Sequence, residues 1–140
     1  MAAWLEAAGY RVRPEVPIVG RWADLVGVGE DSLVAVELKL RDWAEALRQA
    51  TAYQVGADRA WVAMPLAAAS RAYRQRWRFE AQGVGLLAVD DRGGVRMPIS
   101  AGPSPRLLPF VREGVLTSEA MREPVRLTAS LLDVEGFFRR

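Results

Sequence analysis

Leu33-Val34-Ala35-Val36-Glu37-Leu38-Lys39-Leu40 is the stretch whose reading decides the fold. Its β-branched content and its alternation predict a strand. Side chains on a strand point to its two faces in turn, so Val34, Val36, Leu38 and Leu40 share one face while Ala35, Glu37 and Lys39 share the other. One face belongs to a core. The other sets a carboxylate and an ammonium beside a small alanine, which presents charge in a recess.

Upstream, Arg21 to Val28 reads as a second strand, and Gly27, Gly29, Glu30, Asp31 and Ser32 supply turn chemistry between the two. A hairpin centred on the Glu30–Asp31 step puts Asp24 opposite Glu37. Carboxylates opposed in a sheet repel by about 0.2–1 kcal/mol on the cross-strand scale. A shared divalent cation turns that repulsion into a site; a bulge that offsets the register, or Asp24 capping a turn, removes the pair. Tyr10 to Ile18 alternates too, but Pro14 and Pro17 cannot donate to a ladder, so this strand is expected at a sheet edge. Ala2 to Ala8 reads as a short helix stopped by Gly9, with Trp4, Leu5 and Ala8 as its apolar stripe and Glu6 as its acid.

Downstream, Asp42 to Gly56 predicts a helix with Asp42 as N-cap and Glu45 at the capping-box position. Trp43, Ala46, Leu47, Ala50 and Tyr53 form its core-facing stripe. Gln49 and Tyr53, four apart, are neighbours on its surface. Arg59 to Met64 reads as a buried strand ended by Pro65, and strand, helix, strand implies a crossover that lays it parallel to the opening strand. Ala67 to Gln82 is expected as one helix, with Arg71, Arg74 and Arg78 on one stripe and Tyr73 and Trp77 on the opposite, packed side. The arginines suit either a solvated face or one that tracks phosphates. Val84 to Val89 and Val95 to Ile99 are strands joined by the turn Asp90 to Gly94.

Gly102-Pro103-Ser104-Pro105 resets the chain direction. It divides residues 1–101 from an extension, 102–140, expected to pack on the core or on a partner. There Leu107 to Val111 reads as a short strand or extended arm, Ser118 as the cap of a short helix, and Val125 to Phe138 as a further helical stripe.

Composition narrows the chemistry. The chain has 140 residues, 51% hydrophobic and 26% charged, the make-up of one soluble domain. No apolar run approaches the ~20 residues of a membrane helix, and no signal-type segment opens the chain, so a cytoplasmic protein is expected. Cys and His are absent, which excludes disulfides, thiolate nucleophiles, and imidazole bases or ligands. Catalysis is left to carboxylates, Lys, Tyr, Ser or Thr, Arg, or a hard cation held by oxygens. Among 19 basic residues the sole lysine is Lys39. An ammonium is a compact donor whose pKa moves, whereas a guanidinium stays charged, so its place beside Glu37 reads as chemical. The net charge of +2 permits nucleic acid without announcing it. Gly27-Val28-Gly29 precedes a strand, so it is a hairpin turn rather than a nucleotide-binding fingerprint.

The order helix, strand, strand with Asp24, strand with Glu37-Leu38-Lys39, helix with Gln49-Ala50-Thr51-Ala52-Tyr53, strand resembles the PD-(D/E)XK nuclease superfamily, the restriction-endonuclease-like fold. The Gln-x-x-x-Tyr helix resembles its RecB-type branch. The resemblance implies an α/β fold in which helices flank a central mixed sheet, with an αβββαβ core and a C-terminal extension. It also implies a metal-dependent DNA nuclease. Asp24 and Glu37 would hold Mg²⁺ or Mn²⁺ with the Leu38 carbonyl as a further ligand, and Lys39 would orient or deprotonate the attacking water. Gln49 and Tyr53 would brace the site or touch the nucleic-acid backbone, and Glu6 would add a first-helix acid to the metal shell. The implied partner is DNA, single-stranded, duplex or branched, with a homodimer or larger assembly to widen the footprint. Two other readings stand beside it: a nuclease-fold protein that binds nucleic acid or a protein partner without cleaving, and a structural domain whose Glu37 and Lys39 form a salt bridge.

Overall fold

The computed structural model describes residues 1–122. A short helix, α1 (Ala2–Ala7), leads into three strands, β1 (Arg11–Ile18), β2 (Arg21–Val28) and β3 (Leu33–Leu38). Helix α2 (Trp43–Tyr53) and strand β4 (Arg59–Pro65) follow, then α3 (Leu66–Tyr73), α4 (Arg76–Gln82), β5 (Gly85–Val89) and β6 (Val95–Ile99). Two helices close the described chain, α5 (Pro109–Leu116) and α6 (Glu119–Arg122). The six strands form one sheet in sequential order, with β1 and its prolines at one edge. β1, β2 and β3 are an antiparallel meander, β3, β4 and β5 are parallel, and β6 returns antiparallel. This is the mixed sheet with flanking helices, on an αβββαβ core, expected from the sequence.

Alternation along the strands divides the core. Val34 and Val36 join Leu25, Trp61 and Leu87 on the face covered by Met1, Ala2 and Leu5. Leu33 and Ala35 point the other way, towards Tyr53, Ala57 and Val115. On that second face, Val62, Met64 and Leu86 meet Ala46, Ala50 and Phe79 of the helices. Glu37 continues the row of Leu33 and Ala35, so it is directed to the α2 side of the sheet.

The first hairpin turns over part-way along. Val12 packs on the α1 face but Val16 and Ile18 pack on the other, although all three are even-numbered. On the partner strand Leu25 and Ala23 are likewise split between faces. The ladder pairs Pro14 with Leu25 and Val16 with Ala23, and between them Glu15 lies across from Asp24. Glu15 has φ 51°, in the left-handed region that side chains with a Cβ enter at a cost. The change of faces falls at this residue, and the register is the same on either side of it.

Residues 66–82 differ from expectation. They form two helices, broken at Gln75 (φ −110°, ψ 30°), so Arg71 and Arg78 lie on separate helices rather than on one stripe. Tyr73 and Trp77 are not packed; they are 42% and 60% exposed. The sheet is instead met by Ala68, Ala69, Ala72 and Phe79, because alanines let α3 approach closely while the larger rings turn outward.

The chain then crosses back beneath the sheet. Backbone N–H groups of Gly102, Ser104 and Leu108 donate to the carbonyls of Gly83, Asp58 and Val55 at 3.0, 2.8 and 2.9 Å. The arm expected at Leu107 to Val111 becomes helical at Pro109, whose missing N–H is harmless in a first turn. Val115 is buried against Val16 and Ile18, and Leu116, Ala120 and Met121 lean on the same cluster. The Asp58 carboxylate ties this segment to the sheet: Oδ2 accepts from Leu33 N at 2.7 Å and from Arg112 Nε at 3.0 Å. The stripe expected over Val125 to Phe138 lies outside the described residues. Among the described residues no helix is long and apolar enough to cross a membrane.

Candidate active site

The β2–β3 ladder runs in the register of a turn centred on Glu30–Asp31 and ends at the Leu25–Val36 pair. Beyond it the strands divide. Arg21 to Ala23 pair only with β1, while β3 continues along β4, with Glu37 level with Val62 and Leu38 with Ala63. Asp24 reaches across the split, its Oδ2 accepting from the Leu38 N–H at 2.8 Å. In a strand the N–H and C=O of one residue point to the same side, so the Leu38 carbonyl faces the split as well.

Helix α2 lines the split with one polar stripe. Asp42 fixes where the helix starts, accepting from Glu45 N at 3.0 Å. Glu45, Gln49 and Tyr53 then recur every four residues. Tyr53 Oη lies 2.9 Å from Glu37 Oε1 and 2.8 Å from the Trp22 carbonyl oxygen, so the phenol spans from β3 to β2. At the other end of the stripe Glu45 Oε2 stands 3.2 Å from Lys39 Nζ. Gln49 sits between the two contacts, its Oε1 buried and without a hydrogen-bond partner.

Glu37 is 6% exposed. Burial first, and the Asp24 charge second, push its carboxyl up to about 8; the Tyr53 hydrogen bond and Lys39 oppose the rise. With its carboxyl raised in this way, Glu37 favours the protonated form at neutral pH. Burial and the Glu37 carboxylate push the Tyr53 phenol above its ordinary range, which keeps it a neutral donor. A phenol has one proton. When Glu37 is protonated, Tyr53 can give that proton to the Trp22 carbonyl and still accept from Glu37.

Two neighbouring carboxyls, one of them held protonated by burial and by the other's charge, are an oxygen donor set for a cation that replaces that proton. Mg²⁺ is commonly held by one or two carboxylates with waters completing the shell. Asp24, Glu37 and the Leu38 carbonyl fit that requirement, and Gln49 Oε1 is a further acceptor lacking a donor.

Glu37 and Tyr53 thus meet directly, Asp24 reaches the same split through the Leu38 N–H, and Lys39 joins through Glu45. Glu6 does not join. Its helix packs through Ala2 and Leu5 on the face of Val34 and Val36, opposite the one that carries Glu37, and the Glu6 side chain is exposed. No three acidic side chains gather in a metal-holding group among the described residues. The salt bridge of Lys39 is with Glu45 and not with Glu37. The capping-box position alone does not place Glu45 at the site; its four-residue spacing from Gln49 and Tyr53 is the signal that it shares their stripe.

No family model matches the sequence, and no curated protein matches it. Among solved structures the chain is similar to the crystal structure of an XisH family protein from Nostoc punctiforme PCC 73102. The TM-score is 0.50 at 20% sequence identity, over 66% of this chain and 91% of that one. At that identity the likeness is one of fold.

Proposed function

We propose that this chain is a metal-dependent DNA nuclease that hydrolyses phosphodiester bonds with Asp24, Glu37 and Lys39. The observation that carries the reading is the split between β2 and β3, where the Asp24 and Glu37 carboxyls converge beside the Leu38 carbonyl. Asp24, Glu37 and the Leu38 carbonyl would hold Mg²⁺ or Mn²⁺. When bound, such a cation compensates charge on the phosphoryl oxygens and acidifies water near neutral pH. Tyr53 fixes the Glu37 carboxyl by its hydrogen bond. Lys39, on the same strand face as Glu37, brings an ammonium to orient water or neutralise phosphate once it leaves Glu45. The Gln49 and Tyr53 stripe facing Glu37 supports the RecB-type branch. Incubation with labelled single-stranded, duplex and branched DNA plus Mg²⁺ or Mn²⁺ tests the proposal. Cleavage lost in Glu37→Gln and Lys39→Ala is the expected result; equal cleavage by wild type and Lys39→Ala refutes it.

A second reading is a nuclease-fold protein that binds nucleic acid or a protein without cleaving. It is favoured by one observation: each charged group of the site has a protein partner, Asp24 on Leu38, Glu37 on Tyr53 and Lys39 on Glu45. Divalent-dependent thermal stabilisation that disappears in Glu37→Gln counts against it.

A further inference from the structure

Helix α2 has a second polar flank, turned away from the stripe of Glu45, Gln49 and Tyr53. There Leu47, Arg48 and Thr51 border a groove of about 400 Å³ whose far wall is Trp77, Arg78 and Ala81 of α4. Trp77 is 60% exposed although it is the largest side chain of the groove. The Arg78 guanidinium lies over its ring at 4.9 Å and over the Trp43 ring at 5.8 Å. At the start of the same helix, Arg76 lies over the exposed Tyr73 ring of α3 at 5.2 Å. Between residues 71 and 82 the charged side chains are Arg71, Arg74, Arg76 and Arg78 against Glu80 alone. Among the described residues no acidic side chain borders the groove.

Cations held over exposed indole and phenol rings, next to an open groove, present two kinds of contact at once. Guanidinium groups meet phosphates, and an open aromatic face accepts a flat ring. We infer that the groove between α2 and α4 binds a single-stranded nucleic acid, with Trp77 as the stacking platform and Arg48 and Arg78 as phosphate contacts. An unpaired strand is required because a paired base has no free face to offer Trp77. Charge complementarity selects a polyanion, and the exposed ring selects a polyanion that carries bases. The surface is separate from the carboxylate pair and stands whether or not that pair cleaves.

The test is fluorescence anisotropy of a labelled single-stranded oligonucleotide of mixed sequence with the full chain in EDTA, so that no cleavage occurs. Trp77→Ala is expected to weaken binding about tenfold, within the range for loss of one base stack, and Trp77→Phe to retain most of it. Arg48→Ala and Arg78→Ala each reduce the slope of log affinity against log salt by about 0.7, one phosphate contact on a single strand. Arg78→Lys retains that slope, which separates charge from the packing of Arg78 on Trp43. Equal binding by wild type and Trp77→Ala overturns the inference. So does a duplex that binds as tightly as the single strand, a polyglutamate that competes as well as the oligonucleotide, or a Trp77-dependent dimer in sedimentation. Loss of binding in Trp77→Ala here, together with no cleavage of any DNA in the separate assay with Mg²⁺ or Mn²⁺, leaves the surface assigned and removes only the nuclease reading.

Discussion

Lys39 Nζ rests 3.2 Å from Glu45 Oε2, so the sole lysine of the protein is held by the first turn of α2 rather than by the Glu37 two residues before it. Both partners are partly exposed, and such a pair contributes no more than about 1 kcal/mol. Glu45→Gln is therefore expected to leave the thermal midpoint nearly unchanged and, by releasing the ammonium, to raise cleavage a few-fold. Lys39→Ala abolishes cleavage with an equally small effect on stability. If Glu45→Gln loses as much cleavage as Lys39→Ala, Glu45 holds the lysine in its working position instead.

The Glu37 carboxyl, pushed up to about 8 from an ordinary 4.5 by burial and by Asp24, stays protonated in the folded chain at pH values where the unfolded chain has released the proton. The folded state then binds more protons, so this carboxyl's contribution to stability is fully present below pH 4.5, falls as pH rises towards about 8, and is lost above it. Glu37→Gln fixes the uncharged form and is expected to flatten this dependence and to be more stable than wild type at alkaline pH. Urea unfolding at roughly pH 5, 7 and 9 reads it directly.

Divalent affinity should rise over the same interval, because a cation must displace the Glu37 proton. Calorimetry with Mn²⁺ in buffers of different ionisation heat measures the protons released. Tight binding that is independent of pH would mean that the cation sits elsewhere.

Val19 and Gly20 join β1 to β2 with φ 47° and 77°, the backbone of a type I′ turn that favours Asn-Gly. A β-branched residue there is strained by about 1–2 kcal/mol. Val19→Asn is expected to raise stability by about 1 kcal/mol. Glu15→Gly, at the other left-handed position, should be neutral to mildly stabilising, and Glu15→Val clearly destabilising; chemical denaturation compares them.

Asp58→Ala removes the acceptor of the Leu33 N–H, whose residue is fully buried, and is expected to cost about 1–3 kcal/mol. Arg112→Ala breaks only a partly exposed ion pair and should cost under about 1 kcal/mol. Equal losses in urea titrations would place the anchoring in the ion pair and not in the buried amide.

Much of this was legible in the chain because it is local. Alternation separated Glu37 from Val36, the turn residues fixed the hairpin register, prolines marked the edge strand, and Asp42 with Glu45 marked the start of α2. What escaped was of two kinds. The break at Gln75 has no glycine or proline to announce it, and a left-handed Glu15 leaves no trace in composition. The exclusion of Glu6 and the pairing of Lys39 with Glu45 depend on which sheet face each helix covers, a long-range choice that spacing within one element does not encode.

The sequential order of the six strands has a consequence for synthesis. Each strand joins beside the one made just before it, so none must be threaded between neighbours already in place. A chain emerging from the ribosome N-terminus first can add strands as they appear. The groups that meet at the split all lie between Trp22 and Tyr53, so they can assemble while β5 and β6 are still being translated. The later half of the chain then acts as a clamp on a centre already formed. Nonsense truncations after β4 are expected to yield unstable fragments with that centre locally built, rather than folded domains lacking it.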